Sequence, residues 1–409
     1  MIYQLLPPID PIRATIPLPS SKSISNRALI LDALAYGEGK IDNLATCDDT
    51  RVMIDAFSSD HSHFDIGAAG TAMRFMTAYL SKVVGRWTIT GSERMKQRPI
   101  GLLVDALNSL GARVEYAEKK GYPPLIIYGS ALQGGEITLD GGISSQFVSA
   151  LLMLAPSMEK GLKITLSGNV VSTPYIRMTL GMMRQWGVES RWEGNVIEVA
   201  PQSYRERSYR VESDWSAASY WYAIVALSDN AEIEIEGLFK ESFQGDSAGR
   251  FLFEKLGVSS SFTSNGVLLK KDLPLCSRLE YDFTNEPDLV QTFAVVCCML
   301  NIPFHFTGLQ TLRIKETDRI AALENELRKL GFVLNSAVAN TLSWEGVRTN
   351  PEPFPVIHTY EDHRMAMAFA PASLKNPTIQ IAEPHVVSKS YPQFWDHLTL
   401  ASFTVEPIG

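Results

Sequence analysis

Gly142-Ile143-Ser144-Ser145-Gln146-Phe147-Val148-Ser149-Ala150-Leu151-Leu152-Met153-Leu154, followed by Lys163-Ile164-Thr165-Leu166 and by a segment ending at Trp186-Gly187, decides the fold. Small and polar residues open an apolar, helix-favouring run. An alternating strand comes next, and a second, amphipathic helix stops at a glycine. The order recurs along the chain. Further openings stand at Pro19 to Ser25, Gly67-Ala68-Ala69-Gly70-Thr71, Glu212-Ser213-Asp214-Trp215-Ser216, Asn285-Glu286-Pro287-Asp288 and Tyr360-Glu361-Asp362-His363-Arg364. Strands are predicted at Trp87-Thr88-Ile89-Thr90, Glu232-Ile233-Glu234-Ile235 and Thr378-Ile379-Gln380-Ile381, and helix ends at Leu110-Gly111, Leu256-Gly257 and Leu330-Gly331. The markers Lys22, Gly70, Ser145, Ser216, Asp288 and His363 lie 48, 75, 71, 72 and 75 residues apart. Six units of strand, helix, strand, helix and further strands emerge, the first of them short by about 25 residues. Three units per domain is the natural division.

The chain has 409 residues, too many for one ordinary core, so two domains are expected. It is 45% hydrophobic and 20% charged without low-complexity tracts, and no apolar run approaches the roughly 20 residues that span a bilayer. Met1-Ile2-Tyr3-Gln4 lacks the basic and then apolar segments of a signal peptide, so a cytoplasmic location and no membrane partner are expected. Cys47, Cys276, Cys297 and Cys298 show no metal-ligand spacing and read as buried, reduced thiols. A net charge of −8, with both signs interspersed, argues against a nucleic-acid surface but leaves room for a small anion in a local cationic cluster.

The unpaired N–H groups and partial positive charge of a helix start favour an anion. Six related units could point several such ends into one cleft, which suggests a ligand with phosphate and carboxylate groups. Ser21-Lys22-Ser23-Ile24-Ser25-Asn26-Arg27 sets two cations beside hydroxyls there, and Ala69-Gly70-Thr71-Ala72-Met73-Arg74 repeats the arrangement with a glycine that permits close backbone approach. In Arg94-Met95-Lys96-Gln97-Arg98-Pro99, Arg94 and Lys96 read as solvated loop cations. Arg98 precedes Pro99, a favoured first helical residue, and so reads as a helix-start cation. Arg313-Ile314-Lys315-Glu316-Thr317-Asp318-Arg319, taken as helical, places Glu316 among cations, with Ile314 and Ile320 to Leu323 implying a face that borders the core. His363 is either a capped structural histidine or a chemical group, and Lys389 alone reads as an exposed lysine. Gly37-Glu38-Gly39-Lys40 lacks P-loop spacing, and His61-Ser62-His63 with Asp60 and Asp65 reads as a polar loop of the shortened unit, so no metal site is expected.

Together, Lys22-Ser23-x-Ser25-Asn26-Arg27, Ala69-Gly70-Thr71-Ala72-x-Arg74, Lys96-x-Arg98-Pro99-Ile100, Ser144-Ser145-Gln146-Phe147, Arg313-x-Lys315-Glu316-Thr317-Asp318-Arg319, Asp362-His363-Arg364-Met365-Ala366-Met367 and the Lys389 segment resemble the 5-enolpyruvylshikimate-3-phosphate synthase family. The motifs run in order from about residue 10 to 400. The resemblance implies an α/β fold of two similar domains, each of three βαβαββ units in an inside-out α/β barrel. Residues 21–213 would form one domain, and 1–20 with 214–409 the other, with the active site in a cleft between them.

By the same resemblance, Lys22, Ser23, Arg27, Ser144, Ser145, Gln146, Ser172, Tyr175, Asp288 and Lys315 would hold shikimate 3-phosphate. Lys22, Gly70, Arg98, Gln146, Arg319, Arg364 and Lys389 would meet phosphoenolpyruvate. The implied reaction delivers a proton to C3 of phosphoenolpyruvate while the 5-hydroxyl attacks C2. Phosphate then leaves the tetrahedral adduct as C3 loses a proton, in a step toward chorismate and the aromatic amino acids. Asp288 is the candidate base, Glu316 the candidate group at C3, and Lys22 would stabilise developing charge and share proton transfer. No cofactor is implied, and a monomer suits a cleft closing within one chain. Glyphosate sensitivity is implied because Gly70 leaves room where an alanine methyl would crowd the inhibitor. Three departures stand out: Ala68 and Thr311 where the family usually has Asn, and the short first unit. The enolpyruvyl transferases acting on UDP-N-acetylglucosamine usually carry a loop cysteine that Gly91 to Pro99 lacks. A non-catalytic phosphosugar-binding relic finds support only in Ala68.

Overall fold

Among the described residues the strands form six separate sheets, and one connection rule recurs in them. In the sheet of Gly135–Asp140, Leu162–Ser167, Val196–Val199 and Arg191–Glu193, the first two strands run parallel and the remaining pairings are antiparallel. A parallel pair needs a crossover, which the Ser145–Leu154 helix supplies, whereas an antiparallel pair needs only a hairpin. Three more four-stranded sheets repeat this around His63–Asp65 with Arg86–Thr90, Ile12–Pro17 with Ala231–Glu236, and Val356–Ile357 with Gln380–Ala382. A three-stranded sheet pairs Leu279–Asp282 in parallel with Phe304–Thr307, and the latter antiparallel with Leu342–Trp344. The remaining sheet is only Ile41–Asp42 beside Tyr209–Arg210, which is the short first repeat.

The computed structural model describes residues 1–37 and 40–408, so Glu38 and Gly39 of the Gly37–Lys40 segment lie outside the described residues. The chain divides into two compact units, Met1–Pro19 with Glu212–Gly409, and Ser20–Val211. Each unit holds three of the sheets and its own apolar core.

Three helices lie inside each core. In the first unit they are Trp215–Leu227, Val290–Met299 and His363–Phe369. Every residue of the three is buried except Ser216. A helix apolar all round has no solvent face, so it must sit inside. In the second unit Lys22–Leu34, Gly70–Lys82 and Ser145–Leu154 take this place. The amphipathic helices end as their sequence implies: Gly111, Gly187, Gly257 and Gly331 all adopt positive φ, between 83° and 98°, just past the last turn. Only glycine enters that region without steric cost.

Four expectations need correction. No sheet among the described residues closes into a barrel. His63 begins the strand His63–Asp65 of a complete four-stranded sheet, not part of the shortened unit. Pro99 does not start a helix, which begins at Gly101 after Ile100. Lys315 and Glu316 are not helical: a single 3-10 turn covers Leu312–Ile314, and the helix starts at Arg319, capped by Asp318. Ile314 is 64% exposed and so borders no core. No described helix is long and apolar enough to cross a membrane.

Candidate active site

Of the predicted residues, Lys22, Ser23, Gly70, Ser144, Ser145, Gln146, Asp288 and Arg364 fall at or just before the starts of the buried helices. Ser172, Tyr175 and Arg319 fall at the starts of amphipathic ones, and Arg98, Lys315, Glu316 and Lys389 in turns between helices; each unit assembles its own set. In the second unit Ser21 caps the Lys22–Leu34 helix, its side chain accepting from the Ile24 N–H. Lys22 Nζ lies 3.3 Å from Asp49 Oδ2, with side-chain exposures of 15% and 5%. Arg27 is almost fully buried. Its Nε donates to Thr179 Oγ1 at 2.7 Å, Nη1 to the Ser23 carbonyl at 2.9 Å, and Nη2 to Ser149 Oγ and the Tyr175 carbonyl at 3.1 and 3.4 Å. Burial lowers its pKa to about 10, so it remains a cation at neutral pH. These bonds occupy most of its fork, so Arg27 ties the first helix to the Thr173–Gln185 helix as well as offering charge.

Gln146 and Thr71, each in the first turn of its helix, are joined by a 3.2 Å bond from Nε2 to Oγ1. Ser144 caps the Ser145–Leu154 helix through the Gln146 N–H. Ser172, buried at the start of the next helix, adopts φ 54°, a left-handed conformation that a non-glycine residue holds only when its surroundings impose it. Arg98 stands beside Gly70 so closely that a methyl group there would lie 2.6 Å from its Nη1, and its buried Nε has no hydrogen-bond partner among the described residues. Such a donor is what an incoming anion would satisfy. Lys96 pairs instead with Glu93 at 2.9 Å, in keeping with a loop cation.

In the first unit the motifs converge on Arg319, which is 1% exposed. Its Nε donates to Asp362 Oδ2 at 2.7 Å, Nη1 to Asp288 Oδ1 at 2.9 Å and Nη2 to Glu316 Oε2 at 2.9 Å. Around it, Lys315 Nζ reaches Asp288 Oδ1 at 3.2 Å, Arg364 Nη2 reaches Asp288 Oδ2 at 2.8 Å, and Lys389 Nζ lies 3.3 Å from Glu316 Oε1. Glu316 and Arg319 thus meet as expected, but across a bend rather than along a helix. Two consecutive left-handed residues, Tyr360 at φ 54° and Glu361 at φ 56°, turn the chain into the His363–Phe369 helix. His363 is buried with Nδ1 against Ser390 Oγ, a contact that fixes its ring.

Burial pushes the Asp288 carboxyl up, but Arg364, Lys315 and Arg319 together hold it well below the usual carboxylate range. Burial likewise works against charge on Arg319, and Asp362, Glu316 and Asp288 more than offset it. Buried ion networks return little net stability after desolvation. Their use lies in fixing charged groups where an anion can compete for them. Any anion that draws Lys315 or Arg364 away from Asp288 raises the proton affinity of that carboxylate.

Several residues in these sets escape sequence reasoning. Asp49, Ser149 and Thr179 read as a helix-start acid and two core hydroxyls. Asp362 lies within a motif but has the spacing of an ordinary cap, a task it also performs for the Arg364 N–H at 2.9 Å. Tyr220 lies inside an apolar run, yet its hydroxyl accepts from Arg364 Nη1 at 3.3 Å.

The model of the family described as EPSP synthase (3-phosphoshikimate 1-carboxyvinyltransferase) matches residues 6–59 and 56–398. A 3-phosphoshikimate 1-carboxyvinyltransferase from Bacteroides fragilis is 55% identical over 407 residues, covering 99% of each chain. One from Vibrio campbellii is 36% identical, covering 97% of this chain and 99% of its own. A solved EPSP synthase from Acinetobacter baumannii shares the fold, with a TM-score of 0.76, 20% identity and coverage of 99% of this chain and 100% of its own. With motifs, fold and full-length relatives in agreement, this chain is a transferase belonging to the EPSP synthase (3-phosphoshikimate 1-carboxyvinyltransferase) family.

Proposed function

We propose that the protein transfers the enolpyruvyl group of phosphoenolpyruvate to the 5-hydroxyl of shikimate 3-phosphate, releasing phosphate through a tetrahedral intermediate. The observation that carries the reading is the buried Arg319, fixed by Asp288, Glu316 and Asp362 with Lys315, Arg364 and Lys389 around them. Such a cluster offers both a clamp for a carboxylate and phosphate and two carboxylates for proton transfer.

In this mechanism both sets of residues act on one pair of substrates. Ser23, Arg27, Ser144, Ser145, Gln146, Ser172, Tyr175 and Lys315 hold shikimate 3-phosphate. Lys22, Gly70, Arg98, Gln146, Arg319, Arg364 and Lys389 hold phosphoenolpyruvate. Binding draws Lys315 and Arg364 toward substrate anions, and Asp288, relieved of part of their charge, accepts the proton of the 5-hydroxyl. Glu316 serves C3: it takes up a proton from solvent as Arg319 and Lys389 turn part of their charge to the substrate anions, gives that proton to C3 in the addition and takes one back in the elimination. Lys22, positioned by Asp49, stabilises the charge that develops as phosphate departs. The test is phosphate release from phosphoenolpyruvate with two acceptors. Release with shikimate 3-phosphate and none with UDP-N-acetylglucosamine is expected. Tight binding of shikimate 3-phosphate without turnover would refute the reading.

A further inference from the structure

The first unit holds a carboxyl group that this mechanism does not use. Asp246 sits in the 3-10 turn Gly245–Ala248 and is 5% exposed. Its Oδ2 accepts from Ser216 Oγ, while Oδ1 is buried with no hydrogen-bond partner among the described residues. The turn is locked in place by Gln244, which accepts from the Trp215 N–H at 3.0 Å and donates to the Ser213 carbonyl at 2.8 Å. Ser216 is the single residue of the Trp215–Leu227 helix that is not buried, and it is spent on this carboxyl. One turn further along that helix, Tyr220 holds Arg364, which in turn holds Asp288. Asp246 is itself within electrostatic reach of both Asp288 and Arg364.

We propose that Asp246 is a positioning residue for the transfer, a buried anion joined through Ser216 and Tyr220 of one helix to the Arg364–Asp288 pair, and that it sets how strongly Arg364 holds Asp288. The proposal rests on Asp288 being the base of the reading above. A negative charge there takes up part of the Arg364 field and raises the proton affinity of Asp288, whereas a neutral group leaves Asp288 too weak a base. Asp214 and the Ser216 hydroxyl act on Asp246 from the helix start, Glu286 and Asp288 from the loop before the Val290–Met299 helix, and Arg364 from the His363–Phe369 helix. On the helix that follows, Arg250 lies over the rings of Trp215 and Phe262. Burial first, and then the charge of Asp288, push the Asp246 carboxyl up to about 6. Its anion therefore forms across the pH range in which the enzyme would be assayed.

Stability supplies an independent sign. A carboxyl raised in the fold stabilises the folded protein at low pH, and that contribution is lost as pH rises through about 6. Asn cannot ionise, so an Asp246→Asn protein should gain on the wild type as pH rises. A residue kept only for structure would show the same stability trend but leave the pH profile of turnover unchanged.

The experiment compares wild type and Asp246→Asn from pH 5 to 9, reading kcat/KM for shikimate 3-phosphate by phosphate release and Tm by calorimetry. The expected result is an acid limb near pH 6 in the wild type that the variant lacks. At pH 8 its kcat/KM falls about tenfold, one pKa unit of base strength, while its Tm advantage grows between pH 5 and 8. Ser216→Ala, which removes the donor that holds the carboxylate, is expected to move the acid limb to higher pH and serves if Asp246→Asn does not fold. An active wild type with an unchanged profile in both variants overturns this proposal alone. Wild-type silence with shikimate 3-phosphate overturns the functional reading and this proposal with it.

Discussion

Replacing Gly70 by alanine puts one methyl group between a helix start and a guanidinium. The added Cβ would lie 2.6 Å from Arg98 Nη1, 3.0 Å from Arg98 Cζ and 3.0 Å from Arg74 Nη1. Ordinary contact needs about 3.5 Å, so the Arg98 guanidinium must retreat by roughly 1 Å. Arg74 yields less readily, because its Nη1 donates to the Gly70 carbonyl at 2.9 Å. If that retreat removes one charge-assisted hydrogen bond to phosphoenolpyruvate, about 1.5–3 kcal/mol is lost, or roughly 10- to 150-fold in affinity. The fold itself should not suffer. Gly70 is helical rather than left-handed, and alanine there adds up to ~1 kcal/mol by restricting the unfolded chain. Phosphate release, measured against phosphoenolpyruvate at saturating shikimate 3-phosphate, should show a KM raised at least about tenfold with kcat little changed and Tm equal or higher. A KM within about twofold of wild type would refute the placement of Arg98 at this substrate; a lower Tm would refute the packing argument.

Three further perturbations follow from the same contacts. Arg319→Lys can satisfy one of the three carboxylates that Arg319 now joins, so unfolding in urea should show a loss of about 3 kcal/mol or more and turnover should fall by at least ~100-fold. Asp49→Asn removes an anion 3.3 Å from Lys22; a loss of about 2 kcal/mol is expected, part of it recovered when saturating shikimate 3-phosphate is present during the melt. Glu286, pushed up to about 7 chiefly by burial, favours the fold when protonated and loses that contribution as pH rises through 7. Glu286→Gln keeps an acceptor for the Tyr281 hydroxyl, now 3.0 Å from Oε2, so its Tm should equal that of the wild type at pH 5 and exceed it at pH 8.

What the sequence discloses follows the range over which each signal acts. The repeat is legible because strand alternation, apolar helices and closing glycines are local, and the six sheets reproduce it, down to the two-stranded remnant of the first unit. The helix starts are legible because caps are local too: Ser21, Ser144, Asp214, Asp318 and Asp362 each accept from a backbone N–H in their own first turn. Helical spacing misleads at Lys315 and Glu316, since Asp318 captures the Ala321 N–H and starts the helix later. The Thr179 and Ser149 hydroxyls that Arg27 uses lie 152 and 122 residues away, and neither carries a mark of its own in a window of sequence. Asp246 shows the same limit: an acid near a turn looks ordinary until its burial and its neighbours, Ser216 and Asp288, are known.

Proton transfer at C3 of phosphoenolpyruvate is the step on which the addition and elimination both turn. Running the reaction in deuterium oxide and reading the vinyl protons of the product by NMR tests it. Addition followed by elimination predicts deuterium in the methylene group, formed by the wild type and lost together with turnover in Glu316→Gln and Asp288→Asn. Product formed at the wild-type rate with no deuterium in its methylene group would contradict it.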